Sequence, residues 1–193
     1  MSTINATART QTTWDIDLAH ANIGFAVRHL VISKVHGRFA RWAGTLTLDD
    51  ARPERSQVEA RIEAASIDTH EPQRDAHLRS ADFLNTDKYP DITFRSTHIE
   101  KAGKDRHQVA GDLTIAGVTR PVRLEVEARG RTKDPWGGER AGFSARTTID
   151  RRDFGLVWNQ ALETGGVVVG EKVEIEIEVE AVKRAETASR QAA

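Results

Sequence analysis

The stretch EKVEIEIEVEAV, residues 171–182, decides the fold of this chain. Four aliphatic residues alternate with glutamates along it: Val173, Ile175, Ile177 and Val179. Because successive side chains of a β-strand point to opposite faces, the pattern predicts a strand with one dry face and one solvated face. A period of two, rather than the period of about 3.6 typical of a helix, therefore indicates a β protein.

The same alternation recurs in seven further stretches of the chain. They are ANIGFAVRHL (21–30), GRFARWAGTLTLD (37–49), QVEARIEAA (57–65), PDITFRSTHIE (90–100), HQVAGDLTIAG (107–117), PVRLEVEARG (121–130) and GFSARTTID (142–150). One segment, from Glu71 to about Leu84, has a helical pattern, which is too little helix to cover a sheet. Eight one-sided strands must therefore stack as a sandwich or close into a barrel, and the period does not choose between the two.

Composition narrows the class of function. The 193 residues suit one domain, and 28 lysines and arginines nearly balance 29 aspartates and glutamates, for a net charge of −1. The chain lacks the basic excess typical of nucleic-acid binders, so we predict no nucleic-acid partner. The absence of cysteine excludes disulfides, thiolate zinc sites, iron–sulfur clusters and cysteine nucleophiles.

The composition of the two ends of the chain indicates where the domain begins and ends and in which cellular compartment we expect the protein. Residues 1–13 are small and polar and are predicted to be disordered, and residues 183–193 to form a flexible tail, which leaves one domain over 14–182. The N-terminus has no basic region followed by an apolar one, as a secretory signal would have. No apolar run approaches the roughly 20 residues of a membrane helix. We therefore expect a cytoplasmic protein without stable membrane insertion.

Four longer motifs carry a resemblance to a known family. They lie at residues 14–46, 66–96, 109–126 and 142–156, and they include RDAHLRSADF (74–83) and LTIAGVTRPV (113–122). In this order, and over most of the chain from Trp14 to about Glu180, they are similar to the YceI-like family of lipid-binding proteins.

The resemblance implies an all-β protein, an eight-stranded antiparallel barrel of lipocalin-like shape with a short helical cap and an elongated apolar pocket. It implies that the pocket holds a polyisoprenoid, such as an isoprenoid quinone or a polyprenyl lipid, for transport, storage or shielding. No catalytic residue, cofactor or metal is expected for that role. The resemblance also suggests homodimers, whereas the export to the periplasm that many members show is not matched by a signal sequence here.

Combined with the alternation, the resemblance predicts which residues meet the lipid. The apolar pocket is expected to be lined by residues of the dry strand faces and of the cap: Phe25, Val27, Phe39, Trp42, Ile62, Ile67, Phe83, Phe94, Leu113, Ile115, Leu124, Phe143, Ile149 and Phe154. The head group or mouth is expected to involve His29, Arg74, His77 and Arg152. Because an apolar wall distinguishes one extra methylene by only about 1–3 kcal/mol, we expect tolerance among chain lengths.

The stretch RDAHLRSADFLNTDKYP, residues 74–90, crowds charged side chains and an imidazole together and admits three interpretations. In an active site, Asp75 and His77 would form an acid–base pair, but two positions apart on a helix they would not share a face. In a metal site, the spacing is wrong, since His29 and His36, like His70 and His77, lie seven positions apart and the sequence has no H-x-x-x-H or H-E-x-x-H. We predict instead a helical cap whose polar groups meet the exposed head of a bound lipid.

Two other classes of function stay open at this stage. An enzyme or a haem protein would use the same cavity through Asp75, His77 or His29, since haem also suits an apolar barrel. A barrel filled by its own side chains would act through its surface instead. Alternation does not distinguish a core from a pocket, because both lie inside a barrel.

Overall fold

The computed structural model describes residues 11–30, 32–161 and 168–185 of the chain. Most of these residues lie in strands, with the following bounds: β1 Gln11–Ile16, β2 Asn22–His29, β3 Ser33–Phe39, β4 Trp42–Asp49, β5 Gln57–Glu63, β6 Ile67–Asp68, β7 Asp91–Lys101, β8 Arg106–Ile115, β9 Val118–Lys133, β10 Glu139–Asp150 and β11 Val169–Lys183. The α-helix of the described part, α1, spans Pro72–Arg79.

The strands pair antiparallel into one sheet that closes on itself. Their order along the sheet is β1-β4-β5-β7-β8-β9-β10-β11-β2-β3-β6, and β11 pairs with β1 as well as with β2. Because β1 and β2 are two parts of one barrel strand, as are β3 and β4 and also β5 and β6, the described segments make a closed barrel of eight strands. The predicted eight-stranded antiparallel barrel with a short helical cap is confirmed, and the sandwich is not formed.

Strand β11 shows why the sheet closes. Its aliphatic residues, Ile175 among them, point into the barrel, while Glu174 lies outside and pairs with Lys34 at 2.6 Å. Each large aliphatic side chain that leaves water contributes about 1.5–3 kcal/mol. Closure brings the dry faces of all the strands around one axis and gives each barrel strand a neighbour on both sides.

The helical cap is shorter than predicted. Glu71 caps α1, because its carboxylate accepts hydrogen bonds from two backbone N–H groups of the first turn. The helix ends at Arg79, so the predicted end at Leu84 is wrong. The N–H of Asn85 donates back to the carbonyl oxygen of Ser80 at 2.9 Å, and Asn85 has a left-handed φ of 47°, so the chain turns here instead of continuing as a helix.

The barrel begins before the predicted domain boundary. Strand β1 starts at Gln11, so residues 11–13, which were predicted to be disordered, are in a strand, while residues 1–10 lie outside the described residues. They are held because β1 pairs with β4 and because the N–H of Arg184 donates to the carbonyl oxygen of Thr13 at 2.8 Å. Strand β11 runs to Lys183, and residues 186–193 of the predicted tail also lie outside the described residues.

The barrel has two different ends. At the helix end, α1 and the turns of residues 80–90 lie beside the connection formed by residues 151–161. At the turn end, the barrel strands are joined by short connections at residues 50–56, 102–105 and 134–138. Within the described residues, no helix combines the length and the apolar character needed to cross a membrane.

Candidate functional site

A cavity of about 550 Å³ lies inside the barrel. Its wall is formed almost entirely by aliphatic and aromatic side chains, and every barrel strand contributes to it. It extends from Leu84 and Leu156 at the helix end to Pro53 and Asp50 at the turn end. This volume falls within the range of about 300–1,000 Å³ that is common for small-molecule sites. The alternative of a barrel filled by its own side chains is therefore wrong.

All but one of the residues predicted to line the pocket border this cavity: Phe25, Val27, Phe39, Trp42, Ile62, Ile67, Phe83, Phe94, Leu113, Ile115, Leu124, Phe143 and Ile149. The exception is Phe154, which is 2% exposed and packs into the core instead of the wall. It lies in the 3-10 turn Arg151–Phe154, after β10 has ended, so strand alternation no longer sets its direction. Contact of these residues with a lipid stays a prediction.

The wall also contains residues that the sequence-based prediction omitted. Val173, Ile175, Ile177 and Val179 of β11 all border the cavity, in agreement with their place on the dry face of the strand. They are only half-buried although they point inward, because they face the cavity rather than other side chains. The alternation in residues 171–182 is the signal that identifies them.

An apolar plug closes the helix end of the cavity. Phe83 and Leu84 are buried and form part of the wall. Behind them, the rings of His77, Phe83 and Trp158 form a cluster with centroids 4.6–5.3 Å apart. The Nε2 atom of His77 also lies 3.0 Å from Oδ2 of Asp82. His77 therefore supports the plug from outside and does not border the cavity.

The charged residues of the stretch 74–90 tie the helix to the barrel. Oδ1 of the buried Asp75 accepts hydrogen bonds from the backbone N–H and the hydroxyl of Thr69, at 3.0 and 2.6 Å. Arg74 donates to the hydroxyl and the carbonyl oxygen of the same Thr69, at 2.7 and 2.8 Å. Arg79 donates to two carbonyl oxygens of residues 65–67. The side chains of Arg74, Asp75 and Arg79 thus form hydrogen bonds with residues 65–69, which precede the helix.

The neighbouring arginines after β10 have different environments. Arg151 is buried, borders the cavity and donates to backbone carbonyl oxygens of the connection that closes the helix end, including those of Leu156 and Trp158. Burial lowers the pKa of its guanidinium from the ordinary value. Arg152 points outward and binds Asp150 and Glu171 at 2.7 Å each, and it holds the pKa of Asp150 well below its usual range.

The structure places none of the four predicted head-group residues in the cavity wall. The guanidinium groups of Arg74 and Arg152 are engaged with Thr69 and with carboxylates, and His77 belongs to the aromatic plug. His29 is half-buried at the end of β2, outside the wall. Their contact with a lipid head stays a prediction, and the polar part of the wall is found elsewhere.

The cavity opens at the turn end. Among the described residues that form the wall, three are exposed to solvent, and all three lie at this end: Asp50, Gly130 and Arg131. We call these three residues the mouth. The wall next to the mouth also carries Asp49, Ser56 and His107. Most of the polar groups of an otherwise apolar cavity are therefore gathered at the end opposite to the helical cap.

A β-bulge turns Arg131 into the mouth. Along β9, Val126 and Ala128 point inward, so simple alternation would place Arg131 on the outer face. The register shifts by one residue here, because Gly142 pairs with Gly130 whereas the next residue of β10 pairs with Ala128. Gly130 has a φ of 111°, a conformation that favours glycine. Sequence alternation alone does not reveal this inward arginine.

Asp50 and Arg131 form a bidentate ion pair at the mouth. The two nitrogen-to-oxygen distances are 2.7 and 2.5 Å, and the guanidinium lies over the indole ring of the buried Trp14 at 5.1 Å. The hydrogen bonds to Arg131 lower the pKa of Asp50, and the same bonds raise the pKa of Arg131. Both groups are therefore charged at neutral pH.

The residues proposed for the alternative functions lie outside the cavity wall. Asp75, His77 and His29, on which an enzyme or haem site would depend, do not border the cavity. A group of potential metal ligands on the outer face, Asp17, His20 and Glu180, is instead bridged by Arg140. Arg140 lies 2.8 Å from Asp17 and lowers the pKa of that carboxyl to about 2, so a guanidinium already balances its charge.

Comparisons with known proteins agree with this architecture. A family model described as the YceI-like domain matches residues 14–181. Protein YceI of Shigella flexneri is 47% identical over 137 residues, which are 71% of this chain and 71% of that protein. A solved YceI protein of Campylobacter jejuni is 34% identical, with a TM-score of 0.71 over 82% of this chain and 90% of that one. A polyisoprenoid binding domain from Saccharophagus degradans is 14% identical and has the same fold, with a TM-score of 0.62 over 90% of this chain and 99% of that one.

Proposed function

Because the chain belongs to the YceI-like family, we propose that it binds a long apolar lipid inside the barrel, specifically a polyisoprenoid such as an isoprenoid quinone or a polyprenyl lipid. The observation that carries the proposal is the cavity of about 550 Å³, whose wall is apolar from the helix end nearly to the mouth. The domain from Saccharophagus degradans, which is described as polyisoprenoid binding, supports this choice of ligand class.

Burial of the lipid tail supplies the binding free energy. Each methylene that leaves water for an apolar wall gains about 0.8 kcal/mol, so one five-carbon isoprene unit gains roughly 3–4 kcal/mol before costs. Ordering a flexible chain reduces this gain, and the bilayer offers the lipid a competing apolar environment. A barrel whose affinity for the lipid only equals that of the bilayer still exchanges lipid with the bilayer, which suits transport, storage or shielding.

A binding protein, rather than an enzyme, is the function that fits this cavity. Its wall is mainly apolar, and most of its polar groups lie at or next to the mouth, where a lipid head would meet solvent. Selectivity for the tail then comes from the length and width of the cavity. An apolar wall of this kind tolerates lipids that differ by a few methylenes.

Two finer points stay predictions. The homodimer suggested by the family resemblance is tested by sedimentation of the purified protein at several concentrations. The cytoplasmic location is tested by fractionating cells that produce the full-length protein. Lipid binding inside the barrel requires neither a dimer nor a particular cellular compartment.

Blocking the cavity with one large side chain tests the proposal. Ala145 of β10 pairs with Val126 of β9 and Ile177 of β11, and all three border the middle of the cavity. Ala145→Trp places an indole across the space that a lipid tail would occupy. If the indole removes the binding free energy of even half an isoprene unit, the affinity for a polyprenyl lipid falls at least about tenfold.

The neighbouring residue supplies a matched control. Arg146 lies on the same strand, points outward and is exposed, so Arg146→Trp adds the same indole to the outside of the barrel. We expect this variant to bind a fluorescent polyprenyl ligand as the wild type does, and both variants to retain a cooperative thermal transition. Equal affinity in a folded Ala145→Trp variant would show that the lipid does not occupy the cavity.

A further inference from the structure

The polar groups of the cavity wall are unevenly distributed. Among the described wall residues of the helix end, the charged one is Arg151, and its guanidinium already donates to backbone carbonyl oxygens. At the turn end, the wall carries Asp49, Asp50, Ser56, His107 and Arg131. A polar head that enters an apolar region loses its hydrogen bonds at a cost, whereas the tail gains from the same region. The distribution favours a tail toward the helix end and a head at the mouth.

The Asp50–Arg131 pair crosses the mouth from one wall of the barrel to the other. Asp50 follows β4, in the second barrel strand, and Arg131 lies in β9, the sixth. In a closed ring of eight strands, the second and the sixth face each other. The pair joins residues 81 positions apart in the sequence. A head group that emerges from the cavity therefore meets this pair.

We propose that the Asp50–Arg131 pair is the head-group site and that it selects an uncharged, hydrogen-bonding head over an anionic one, an inference that rests on the proposed lipid-binding function. The bidentate contact occupies two N–H donors of Arg131 and leaves others for a hydroxyl or carbonyl oxygen. The carboxylate of Asp50 keeps lone pairs that accept from a hydroxyl. A phosphate would instead compete with Asp50 for the same guanidinium and be repelled by its charge.

The charges around the mouth also disfavour an anionic head. Asp49 and Glu139 place two further carboxylates close to the pair, and the nearby ammonium of Lys183 is itself paired with Glu139 at 3.3 Å. Burial lowers the pKa of His107, so its ring is neutral at pH 7 and adds no positive charge to the wall. Among the described residues that form the wall at the turn end, Arg131 is therefore the positively charged residue that a phosphate would meet, and its guanidinium is already paired with Asp50.

Three ligands that share one isoprenoid tail test the inference: geranylgeraniol, geranylgeranyl monophosphate and the corresponding headless hydrocarbon. Their affinities are measured on the full-length wild type and on Asp50→Asn, which frees Arg131 from its carboxylate. Asp15→Asn is the matched control, because Asp15 forms a similar bidentate pair with Arg184 outside the cavity wall. The side chain of Asp15 is 52% exposed and that of Asp50 is 62% exposed. The two variants change the net charge equally.

The wild type is expected to bind the alcohol at least about tenfold more tightly than the monophosphate. In Asp50→Asn, the affinity for the monophosphate rises about tenfold, while that for the alcohol changes less than about threefold. Asp15→Asn keeps the wild-type ratio, and the hydrocarbon binds all variants alike. Adding Arg131→Gln to Asp50→Asn abolishes the gain.

Two results overturn the inference in distinguishable ways. If the folded wild type binds all three ligands and Asp50→Asn keeps the same ratio of alcohol to monophosphate, the head does not lie at the pair, and lipid binding still stands. If the folded wild type binds none of the three, the proposed function fails and the head-group assignment fails with it.

Discussion

Replacing Arg151 by methionine is predicted to lower the free energy of unfolding by about 3 kcal/mol. Arg151 is 5% exposed and donates to the carbonyl oxygens of Leu156, Trp158 and Gly170, at 2.5, 2.9 and 2.9 Å. A carbonyl that loses its donor costs about 1–3 kcal/mol, so three of them cost roughly 3–9 kcal/mol if all stay buried. Methionine avoids the desolvation of a guanidinium, and partly buried carbonyls regain water, which places the expected loss near the lower limit.

Arg152→Met is the matched control for this prediction. Its side chain is 48% exposed, and its partner Asp150 keeps a second cation, Lys172, at 3.3 Å. The carboxylate of Asp150 is buried, but it also keeps the hydrogen bond from the backbone N–H of residue 152, so the loss in Arg152→Met should be smaller than that in Arg151→Met. Urea unfolding followed by tryptophan fluorescence compares the two variants with the wild type. A loss in Arg151→Met below about 1 kcal/mol, or no larger than the loss in Arg152→Met, would refute the account of how the helix end is closed.

Three other predictions follow from particular contacts. Asp75→Ala removes the acceptor of two hydrogen bonds from Thr69 and should cost about 3 kcal/mol in urea unfolding. Arg140 holds the pKa of Asp17 at about 2, below its ordinary 3.8. The ion pair therefore contributes fully to stability above about pH 4, and its contribution is lost as the pH falls through 2. Asp17→Asn should remove this part of the acid dependence when the free energy of unfolding is measured at several pH values. Gly130→Ala adds a side chain to a residue whose φ is 111°, a conformation that is strained for alanine. It should lower the free energy of unfolding by about 1–2 kcal/mol, measured from thermal melts.

Each of these variants has a counterpart in the chain. Asp82→Ala changes an aspartate that is 54% exposed and should cost less than about 1 kcal/mol, so a cost equal to that of Asp75→Ala would contradict the anchoring role. Gly103 lies outside the left-handed region, and Gly103→Ala should change stability by less than about 0.5 kcal/mol. If Asp17→Asn reproduces the full acid dependence of the wild type, the ion pair with Arg140 makes no contribution.

The one-sided strands were predictable from the sequence because a period of two survives through most of the long strands, whereas the choice of a barrel over a sandwich rested on the family resemblance. In residues 171–182 the glutamates mark the outside, and the aliphatic residues that alternate with them mark the cavity wall. Strand β1 was not predicted, since Trp14 and Ile16 are its only two alternating apolar residues, which is too short a run to indicate a strand. Local pattern therefore identifies strands with a long alternation and misses a short strand that places only two apolar side chains inside.

The mouth was not predictable, for a physical reason. A single extra residue in β9 reverses the faces of the strand, and this bulge brings Arg131 inward. The partner of Arg131 is Asp50, which lies 81 positions away and is brought near only when the barrel closes. The sequence-based prediction placed part of the head-group site in the charged stretch 74–90, where Arg74, Asp75 and Arg79 bind residues 65–69, and contact of this stretch with a lipid head stays a prediction.

Native mass spectrometry of the freshly purified protein, followed by organic extraction, tests the central claim most directly. We predict a bound species whose mass matches a polyisoprenoid, released on extraction and greatly reduced in Ala145→Trp but not in Arg146→Trp. A protein that stays at its apo mass, even after incubation with polyprenyl lipids, would contradict the account of the cavity as a lipid-binding site.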